Sequence, residues 1–447
     1  MNNKIIGLFI LSLAVIGCKN DKLDRDLDSQ LLELISDASN GQGTSSFVLP
    51  DESQLSQIPQ DPLNPLTPAK VALGQLLFHE TGLGVDAVNP AGANKFSCAS
   101  CHQASADFHA GRRQGIGEGG IGFGNAGEAR VFDPTYNSAD VDVQPLRSPT
   151  VLNGAYQKVM LWNGQFGATG ANVGTEYLWT NESSPIFNNN LGFEGLEVQA
   201  IAGLKVHRLN VDTAYLFQHE EYRTLFNQAF GNLPESERYT KLTVALAIAA
   251  YERTILSNQA PFQKWLKGET FAMDEQMIEG AIVFFGKGDC ASCHNGPSLA
   301  LEEFHALGME DLVGPDILIK DELAHAKAGF GRGSYTGQTE DDFKFKTPQL
   351  YNLKYVNALG HGASFPDLRS VIEYKNNGVP ENGRVPADKI SDKFAPLNLT
   401  DKELDDLIYF LEEGLFDPFI QRYEPNSLPT GLCFPNNDEQ SRLDRGC

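Results

Sequence analysis

Two copies of one five-residue motif carry the residues of this chain best suited to chemistry. The sequence Cys-Ala-Ser-Cys-His occupies residues 98–102 and again residues 290–294. In an exported chain this C-x-x-C-H pattern is typical of covalent c-type haem attachment: the two thiols add to the haem vinyl groups and the histidine faces the iron. The sequence therefore predicts two covalently attached haem c groups, held by Cys98, Cys101, His102, Cys290, Cys293 and His294.

Two other interpretations of the paired cysteines compete with haem attachment. Each pair could form a disulfide or a thioredoxin-like redox centre, or both pairs could together hold one zinc ion with four thiolates. Neither alternative explains why a histidine follows the second cysteine in both copies. Haem attachment is therefore the favoured interpretation.

The first residues have the composition of an export signal. Lys4 precedes an apolar run at residues 5–16, which is too short to span a bilayer, and Gly17-Cys18 follows. This ending resembles a bacterial lipobox, in which the cysteine is lipidated and becomes the first mature residue; a free cysteine is the alternative. We therefore predict a lipoprotein signal peptide at residues 1–17 and a protein anchored to a membrane through Cys18, on the periplasmic side of the cell envelope.

The net charge of −23 is spread along the chain. It disfavours nucleic acid and anionic lipid surfaces as partners, and it would steer a basic redox protein toward this one. A need for solubility alone also explains such a charge. The composition therefore predicts no nucleic-acid binding.

Two cysteines remain near the end of the chain. Cys433 and Cys447 could pair in an oxidising compartment and fix the C-terminal tail, which would contribute about 3 kcal/mol in the loop-entropy model. Two free thiols are the alternative.

Each C-x-x-C-H motif follows a predicted helix. Residues 18–65 are polar and are interpreted as a tether with one short helix. Thr67-Pro68 then predicts a helix start before the first motif, Asp274 predicts another before the second, and Thr400 with Glu403 predicts a capping box for a last helix.

The predicted fold is mainly α, with two tandem c-type cytochrome-like haem domains, long glycine-rich loops and no convincing strand. The predicted boundaries are 66–265 for the N-terminal haem domain and 266–447 for the C-terminal haem domain and tail.

At this point the sequence resembles a known family, the bacterial di-haem cytochrome c peroxidases with their MauG-type relatives. The resemblance covers about Leu73 to Leu415. Besides the two pentads, it rests on the stretches Leu73-Gly74-Gln75-Leu76-Leu77-Phe78, Ser148-Pro149-Thr150 with Asn153, Trp162-Asn163-Gly164, Gln199-Ala200, Gly331-Arg332, Phe345-Lys346-Thr347-Pro348 and His361-Gly362.

The resemblance implies an oxidoreductase. It implies that hydrogen peroxide is reduced to water at the N-terminal haem and that electrons enter at the C-terminal haem from a small redox protein, either a c-type cytochrome or a copper protein. His102 and His294 would be the proximal iron ligands. The alternatives are a MauG-like oxidase acting on a protein or a small organic substrate, and a non-catalytic di-haem electron carrier.

Peroxide cleavage requires a group that takes up and returns a proton. The family commonly places a glutamate after its glutamine-alanine pair, here Gln199-Ala200, but this chain has none in register. His207 is the candidate instead, with Arg208 favouring charge on the departing oxygen. A structural histidine beside a surface arginine is the alternative.

The remaining site residues also follow from the resemblance. Trp162 corresponds to the family tryptophan between the haems. The second ligand of the C-terminal iron is predicted to be Tyr374, because phenolate is a known class of haem ligand and lysine prefers water. Lys375 is the alternative, and it points about 100° away, since that is the rotation of one helical step. His109 could be a distal ligand of the N-terminal iron, although an open iron is favoured. Arg147 stands where many members place a calcium-binding asparagine, so bound calcium is doubtful.

Overall fold

The computed structural model describes residues 17–447, with side chains from residue 26 onward. Residues 1–16 of the predicted signal peptide and the side chain of Cys18 lie outside this description. The helices are α1 (Gly17–Ala38), α2 (Pro68–His79), α3 (Gly195–Val206), α4 (Thr213–Leu216), α5 (Glu220–Phe230), α6 (Glu235–Arg238), α7 (Lys241–Arg253), α8 (Pro261–Leu266), α9 (Glu275–Phe285), α10 (Glu322–Ala328), α11 (Gly333–Thr336), α12 (Leu368–Asn377), α13 (Asp401–Tyr409) and α14 (Glu439–Arg445).

The remainder of the chain is mostly loops and single 3-10 turns. A π-helical turn at Phe410–Gly414 extends α13. Strand β1 (Gly120–Ile121) pairs antiparallel with β2 (Val131–Phe132), and β3 (Phe304–His305) pairs antiparallel with β4 (Phe345–Lys346). The prediction of a mainly α fold is therefore confirmed. Within the described part of the chain, no helix is both long enough and apolar enough to cross a bilayer.

The predicted helix starts are present. The Thr67 hydroxyl accepts a hydrogen bond from the Lys70 amide at the start of α2, and the Asp274 carboxylate accepts one from the Met277 amide at the start of α9. Such side-chain acceptors satisfy amides that have no partner inside the helix. Thr400 and Glu403 form the reciprocal capping box of α13. These caps fix where the helices begin.

Each half of the molecule is built on one close helix crossing. Helix α2 crosses α7 in the first half, and α9 crosses α13 in the second. A Cβ atom on Gly74 would lie 1.9 Å from the Ala247 carbonyl oxygen, and one on Gly280 would lie 2.0 Å from the Asp406 carbonyl oxygen. Both crossings therefore require glycine, and the two halves repeat one packing arrangement.

The N-terminal segment packs on the second half. Leu31 and Ile35 of α1 are fully buried in the same core as Phe284 of α9 and Phe410. The tether predicted for residues 18–65 is therefore wrong for the described part of that segment. Leucines and an isoleucine at spacings of three and four give α1 an apolar face. The many acidic residues of the segment make it polar on average and hide this periodicity.

The C-terminal segment packs back on the first half. Ile420, Tyr423 and Leu428 belong to the core that contains α2 and α7. The two ends of the chain thus cross over, and each completes the core of the opposite half. The assignment of the tail to the C-terminal domain at residues 266–447 needs this correction, because the tail's apolar side chains are buried among those of the first half.

The predicted pairing of the last two cysteines is confirmed. Cys433 and Cys447 form a disulfide with their Cα atoms 5.8 Å apart. Beside it, the Ser97 and Ser100 hydroxyls donate hydrogen bonds to the Pro435 carbonyl. The tail is therefore fixed against the turn that carries the first pentad.

The packing of α1 can be tested by a pair of neighbouring leucines. Leu31→Ala should lower the free energy of unfolding by about 3 kcal/mol, because it leaves a cavity in the second core. Leu32→Ala is the matched control, since Leu32 is 46% exposed and its truncation should change stability by less than about 0.5 kcal/mol. Urea unfolding measures both values, and equal effects of the two changes would contradict the packing.

Candidate functional site

Both pentads adopt the same short turn. Cys98–Ser100 and Cys290–Ser292 form single 3-10 turns, and in each the amide of the second cysteine donates to the carbonyl of the first at 3.2 Å. All four cysteines of the pentads are free thiols. The turn thus presents two thiols and the following histidine side chain at each site.

The two pentad histidines are oriented in the same way. Nδ1 of His102 donates to the Phe108 carbonyl at 3.3 Å, and Nδ1 of His294 donates to the Leu299 carbonyl at 3.1 Å. Burial lowers the pKa of both histidines to about 4. Each imidazole is therefore neutral near pH 7 and keeps the lone pair on Nε2 for a metal, which is the arrangement expected of an iron ligand.

The structure argues against the competing interpretations of the cysteines. Neither C-x-x-C pair is a disulfide. Among the described residues, the side chains that approach one another closely enough to hold a metal are Cys293, Glu303 and His305, which include one pentad thiol. The four thiols are therefore not assembled into a single zinc site.

A cavity of about 270 Å³ adjoins the second pentad. Cys290, Cys293 and His294 line it, and most of the remaining wall is apolar. Two thiols, a histidine with a free Nε2 and apolar walls fit haem c, in which the thiols would form the thioether links and the imidazole would bind the iron.

The first pentad is covered by the glycine-rich loop at residues 111–127. A Cβ atom on Gly115 would lie 2.9 Å from the Cys101 sulfur and 2.8 Å from the Ser148 hydroxyl. Gln114 and Ile116 beside it are buried. The loop therefore packs on the first pentad, where only a glycine allows this close approach.

A second repeated motif, which the sequence analysis noted only in pieces, follows each pentad. Residues 147–153 and 346–352 both have a basic residue, a hydroxyl residue, proline, three variable residues and asparagine. The backbone of Pro149 lies beside the His102 ring, and that of Pro348 lies beside the His294 ring. The motif therefore supports the proximal histidine in both halves, and a search for repeats beyond the pentads would have found it.

The basic residue of each motif is buried. Burial lowers the pKa of Arg147 to about 10 and that of Lys346 to about 8. Both line the cavity of the second half. The Arg147 guanidinium donates to Nδ1 of His109 at 2.9 Å. A buried cation thus stands where calcium was considered, and calcium remains doubtful.

His207 ends α3 and forms an ion pair with a residue that the sequence did not reveal. Its Nδ1 lies 2.8 Å from Oδ2 of Asp142. Burial lowers the pKa of His207, but the Asp142 carboxylate outweighs it and holds the pKa above its usual value. The charge of His207 also lowers the pKa of His102, so the pair acts electrostatically on the first pentad. Asp142 lies 65 residues earlier in a loop, and no sequence pattern marks it.

Two other predicted residues of this site have different surroundings. The Arg208 guanidinium is bound by Glu118 and by the Asp140 carbonyl. Its charge is already paired, so the predicted action of Arg208 on a departing oxygen is not supported. Gln199 lies in α3, and its buried Oε1 has no hydrogen-bond partner among the described residues. Gln199 is therefore free to accept a hydrogen bond from a ligand.

His109 lies on the same side of the first site as the loop that holds His102. His109 directly follows Phe108, whose carbonyl accepts a hydrogen bond from Nδ1 of His102. Nδ1 is the nitrogen on the side of the ring away from a bound iron. This placement argues against the alternative in which His109 is a distal ligand. Arg147 occupies Nδ1 of His109, while its buried Nε2 has no partner.

Trp162 has neighbours in both halves of the molecule. Its Nε1 donates to the Arg147 carbonyl at 2.8 Å. It lines the second cavity together with His294 and His109. The indole thus contacts the segment that contains Arg147 in the first half and lines the cavity of the second pentad. Its position between two haems stays a prediction.

Tyr374 and Lys375 point in different directions from α12. The Tyr374 hydroxyl donates to the Leu307 carbonyl at 2.5 Å, and the ring packs between Phe365 and Phe394. Lys375 lines the cavity of the second pentad, and burial lowers its pKa to about 8. The geometry therefore argues against the predicted Tyr374 ligand and favours the alternative, Lys375.

These observations define a protein with two similar halves, each presenting the ligand set of a c-type haem. Residues 68–271 match the family described as di-haem cytochrome c peroxidase. The cytochrome-c peroxidase IdrP1 of Denitromonas iodatirespirans is 27% identical over 372 residues, which is 78% of this chain and 83% of that protein. The methylamine utilization protein MauG of Methylorubrum extorquens is 26% identical over 353 residues, which is 78% of this chain and 79% of that protein.

A solved structure shares the fold. The crystal structure of a MauG-like protein associated with microbial copper homeostasis matches with a TM-score of 0.54 at 23% identity, over 83% of this chain and 95% of that one. The chain is thus similar to the di-haem cytochrome c peroxidases and the MauG proteins, which indicates an oxidoreductase of the peroxidase type.

The cofactor content of each half can be measured separately. Cys98→Ser together with Cys101→Ser should reduce covalently bound haem from two equivalents per chain to one, because the second set of thiols is independent. Cys290→Ser with Cys293→Ser should do the same. The alkaline pyridine spectrum after acid-acetone extraction counts the retained haem. Cys433→Ser with Cys447→Ser is the control and should retain two equivalents.

Proposed function

We propose that this protein is a di-haem peroxidase that reduces hydrogen peroxide to water with electrons from a small redox protein. In this proposal each half holds one covalent haem c, with His102 and His294 as proximal ligands. The observation that carries the proposal is the His207–Asp142 pair, a proton-transfer group of raised pKa whose charges act on His102 and Cys101 of the first pentad.

The haem held by His102 would supply the iron at which peroxide oxygen is bound and reduced. The chain supplies the proton transfer. Because Asp142 holds the Nδ1–H of His207, Nε2 is the atom that can take a proton from peroxide and return one to the departing oxygen. The carboxylate also stabilises the imidazolium while it carries the proton. The side chain of His207 is 40% exposed, which leaves it accessible to a small substrate.

The second half supports the role of electron entry. Its pentad adjoins the cavity, and Trp162 lines that cavity while its Nε1 donates to the Arg147 carbonyl of the first half. We propose that electrons enter at the His294 haem and pass near Trp162 to the His102 haem. A c-type cytochrome or a copper protein with a basic surface would be attracted by the net charge of −23.

We further propose that Lys375 would supply a second nitrogen ligand to the iron of a haem held by His294. Its amine lines the cavity that contains His294, and the described residues offer it no carboxylate or hydrogen-bond partner; its neighbour there is the ring of Phe394, 5.6 Å away. The Tyr374 hydroxyl, by contrast, is already bound to a backbone carbonyl. An amine freed of its proton is a nitrogen ligand, as imidazole is.

One observation favours a second candidate, an oxidase of the MauG type. His109 is held on the His102 side by Arg147, so it does not close the opposite face of the first site. An iron open on that face suits an enzyme that stores oxidising equivalents and then oxidises a protein or an organic molecule. Rapid peroxide consumption with reduced cytochrome c as donor supports the peroxidase, and a long-lived oxidised state without such turnover supports the oxidase. A protein inert to peroxide would be an electron carrier.

We propose that the mature protein is a lipoprotein on the periplasmic side of the cell envelope. The support is the lipobox-like Gly17-Cys18 together with two haem-attachment motifs and the Cys433–Cys447 disulfide, all of which belong to an exported chain.

The role of His207 leads to a kinetic prediction. His207→Ala should slow the reaction with peroxide by about a hundredfold or more while both haems stay attached, because a positioned acid–base group contributes that much. Stopped-flow spectroscopy measures the rate. His219→Ala, which changes a histidine packed on Tyr215, is the control and should leave the rate unchanged.

The role of Asp142 is tested within the same experiment by the pH profile. A base must be neutral to accept a proton, so the rate should rise as the pH passes the pKa of His207. Asp142→Asn removes the carboxylate that raises this pKa, and the burial that remains lowers it. The midpoint should therefore move to lower pH. An unchanged midpoint would show that the rate does not depend on this pair.

The ligand proposal gives a spectroscopic prediction. Lys375→Ala should convert the second iron of the oxidised protein from low spin to high spin, because it removes one of two strong axial ligands. Tyr374→Phe is the matched control from the adjacent position and should leave that signal in place. Low-temperature paramagnetic resonance records both. Met309 also lines the cavity. Loss of the low-spin signal in Met309→Leu but not in Lys375→Ala would show that the ligand is methionine and not lysine.

A further inference from the structure

The asparagines that end the two repeated motifs each reach into the opposite half of the molecule. The side-chain amide of Asn153 donates to Oε1 of Gln349 at 3.3 Å, and that of Asn352 donates to Oδ1 of Asp107 at 2.9 Å. All four side chains are at least 95% buried. These contacts are therefore shielded from water. At such a buried position, a donor or acceptor left without its hydrogen bond is costly.

The two asparagines occupy equivalent positions in their halves. Both have left-handed backbones, with φ of 56° at Asn153 and 58° at Asn352. The backbone amide of Asn153 donates to the Ile255 carbonyl, and that of Asn352 donates to the Leu415 carbonyl. Asparagine tolerates this conformation better than most residues and brings an amide donor with it. The crossed contacts are thus one interaction repeated by the internal symmetry of the chain.

The Asn352 contact leads directly to the first proximal histidine. Its acceptor, Asp107, precedes Phe108, and both residues have positive φ angles, 52° and 58°. Two consecutive left-handed residues other than glycine are strained and persist only when the surroundings hold them. Thr150 holds the Asp107 carbonyl, and Asn352 holds its carboxylate. The Phe108 carbonyl then fixes Nδ1 of His102.

The Asn153 contact leads to the second proximal histidine in a similar way. Its acceptor, Gln349, follows Pro348, whose backbone lies beside the His294 ring. Oε1 of Gln349 also accepts from the Tyr351 amide at 2.7 Å, so the side chain is part of the turn itself. A side chain of the first half thereby braces the segment behind the ligand of the second half.

We propose that these crossed asparagines are positioning residues that couple the two haem sites: Asn352 of the second half sets the orientation of His102, and Asn153 of the first half sets that of His294. The inference rests on the proposed haem sites and adds a mechanical link between their proximal sides. One buried hydrogen bond thus connects each proximal histidine to the opposite half. A change in the ligands of one haem would reach the other proximal histidine through that bond.

The test uses isosteric variants and records each iron separately. Asn352→Asp replaces the donor to Asp107 by a carboxylate, and its acceptor role toward the Asp417 amide remains. It should shift the resonance signal of the His102 iron and leave that of the His294 iron in place. Asn153→Asp is the reciprocal variant and should shift the signal of the His294 iron alone. A purely local effect would give the opposite pattern, in which each variant perturbs its own half.

A double variant exchanges donor and acceptor. Asp107→Asn with Asn352→Asp rebuilds the hydrogen bond in the reverse direction and should restore the original signal of the His102 iron. Asn352→Gly provides a neutral second variant that suits the positive φ, and it should shift the same signal. Perturbation confined to the variant's own half, absence of any shift, or a double variant without recovery would each overturn the proposal.

The readout is independent of the proposed activity. The resonance spectrum tests for the crossed pattern even if the protein does not turn over peroxide. Conversely, a peroxidase without the crossed pattern keeps its proposed function and loses only this coupling.

Discussion

The hydrogen bond from Nδ1 of each pentad histidine to a backbone carbonyl is the constraint on which the rest of the site depends. Without it, the imidazole of His102 or His294 could present either nitrogen to the iron, and its plane would be free to turn. With it, Nε2 is the only ring nitrogen left to bind a metal, and the loop that carries the carbonyl is held in a fixed position relative to the imidazole. The backbone of the proline in each repeated motif also lies beside the imidazole.

The two halves solve the same packing problem in the same way. In each, a helix with a central glycine crosses a later helix so closely that carbonyl and Cα are in contact, and the pentad follows the first of these helices. Around this shared frame the halves differ in what they add. The first half adds the His207–Asp142 pair, and the second adds a cavity with Lys375 on its wall. In the proposed function the repeat would supply the haem ligands, and the additions would give the halves separate roles.

Local chemistry in the sequence was sufficient to predict the pentads, the helix caps at Thr67, Asp274 and Thr400, and the Cys433–Cys447 pair, since each depends on residues close in the chain or of one unusual type. The packing of α1 was missed because acidic residues on its exposed face dominate the composition. The choice between Tyr374 and Lys375 depends on the rotation of one helix, which the sequence does not determine. Asp142 was missed because its partner lies 65 residues away.

The crossed ends of the chain determine the order in which the protein can mature. The core of the first half contains Tyr423 and Leu428, so it cannot close until the chain has been made as far as these residues. Until then the turn at Cys98 lacks the cover of the tail that later binds Ser97 and Ser100. If the first pentad holds a haem as proposed, this open turn would be the form that the attachment machinery meets before the tail covers it.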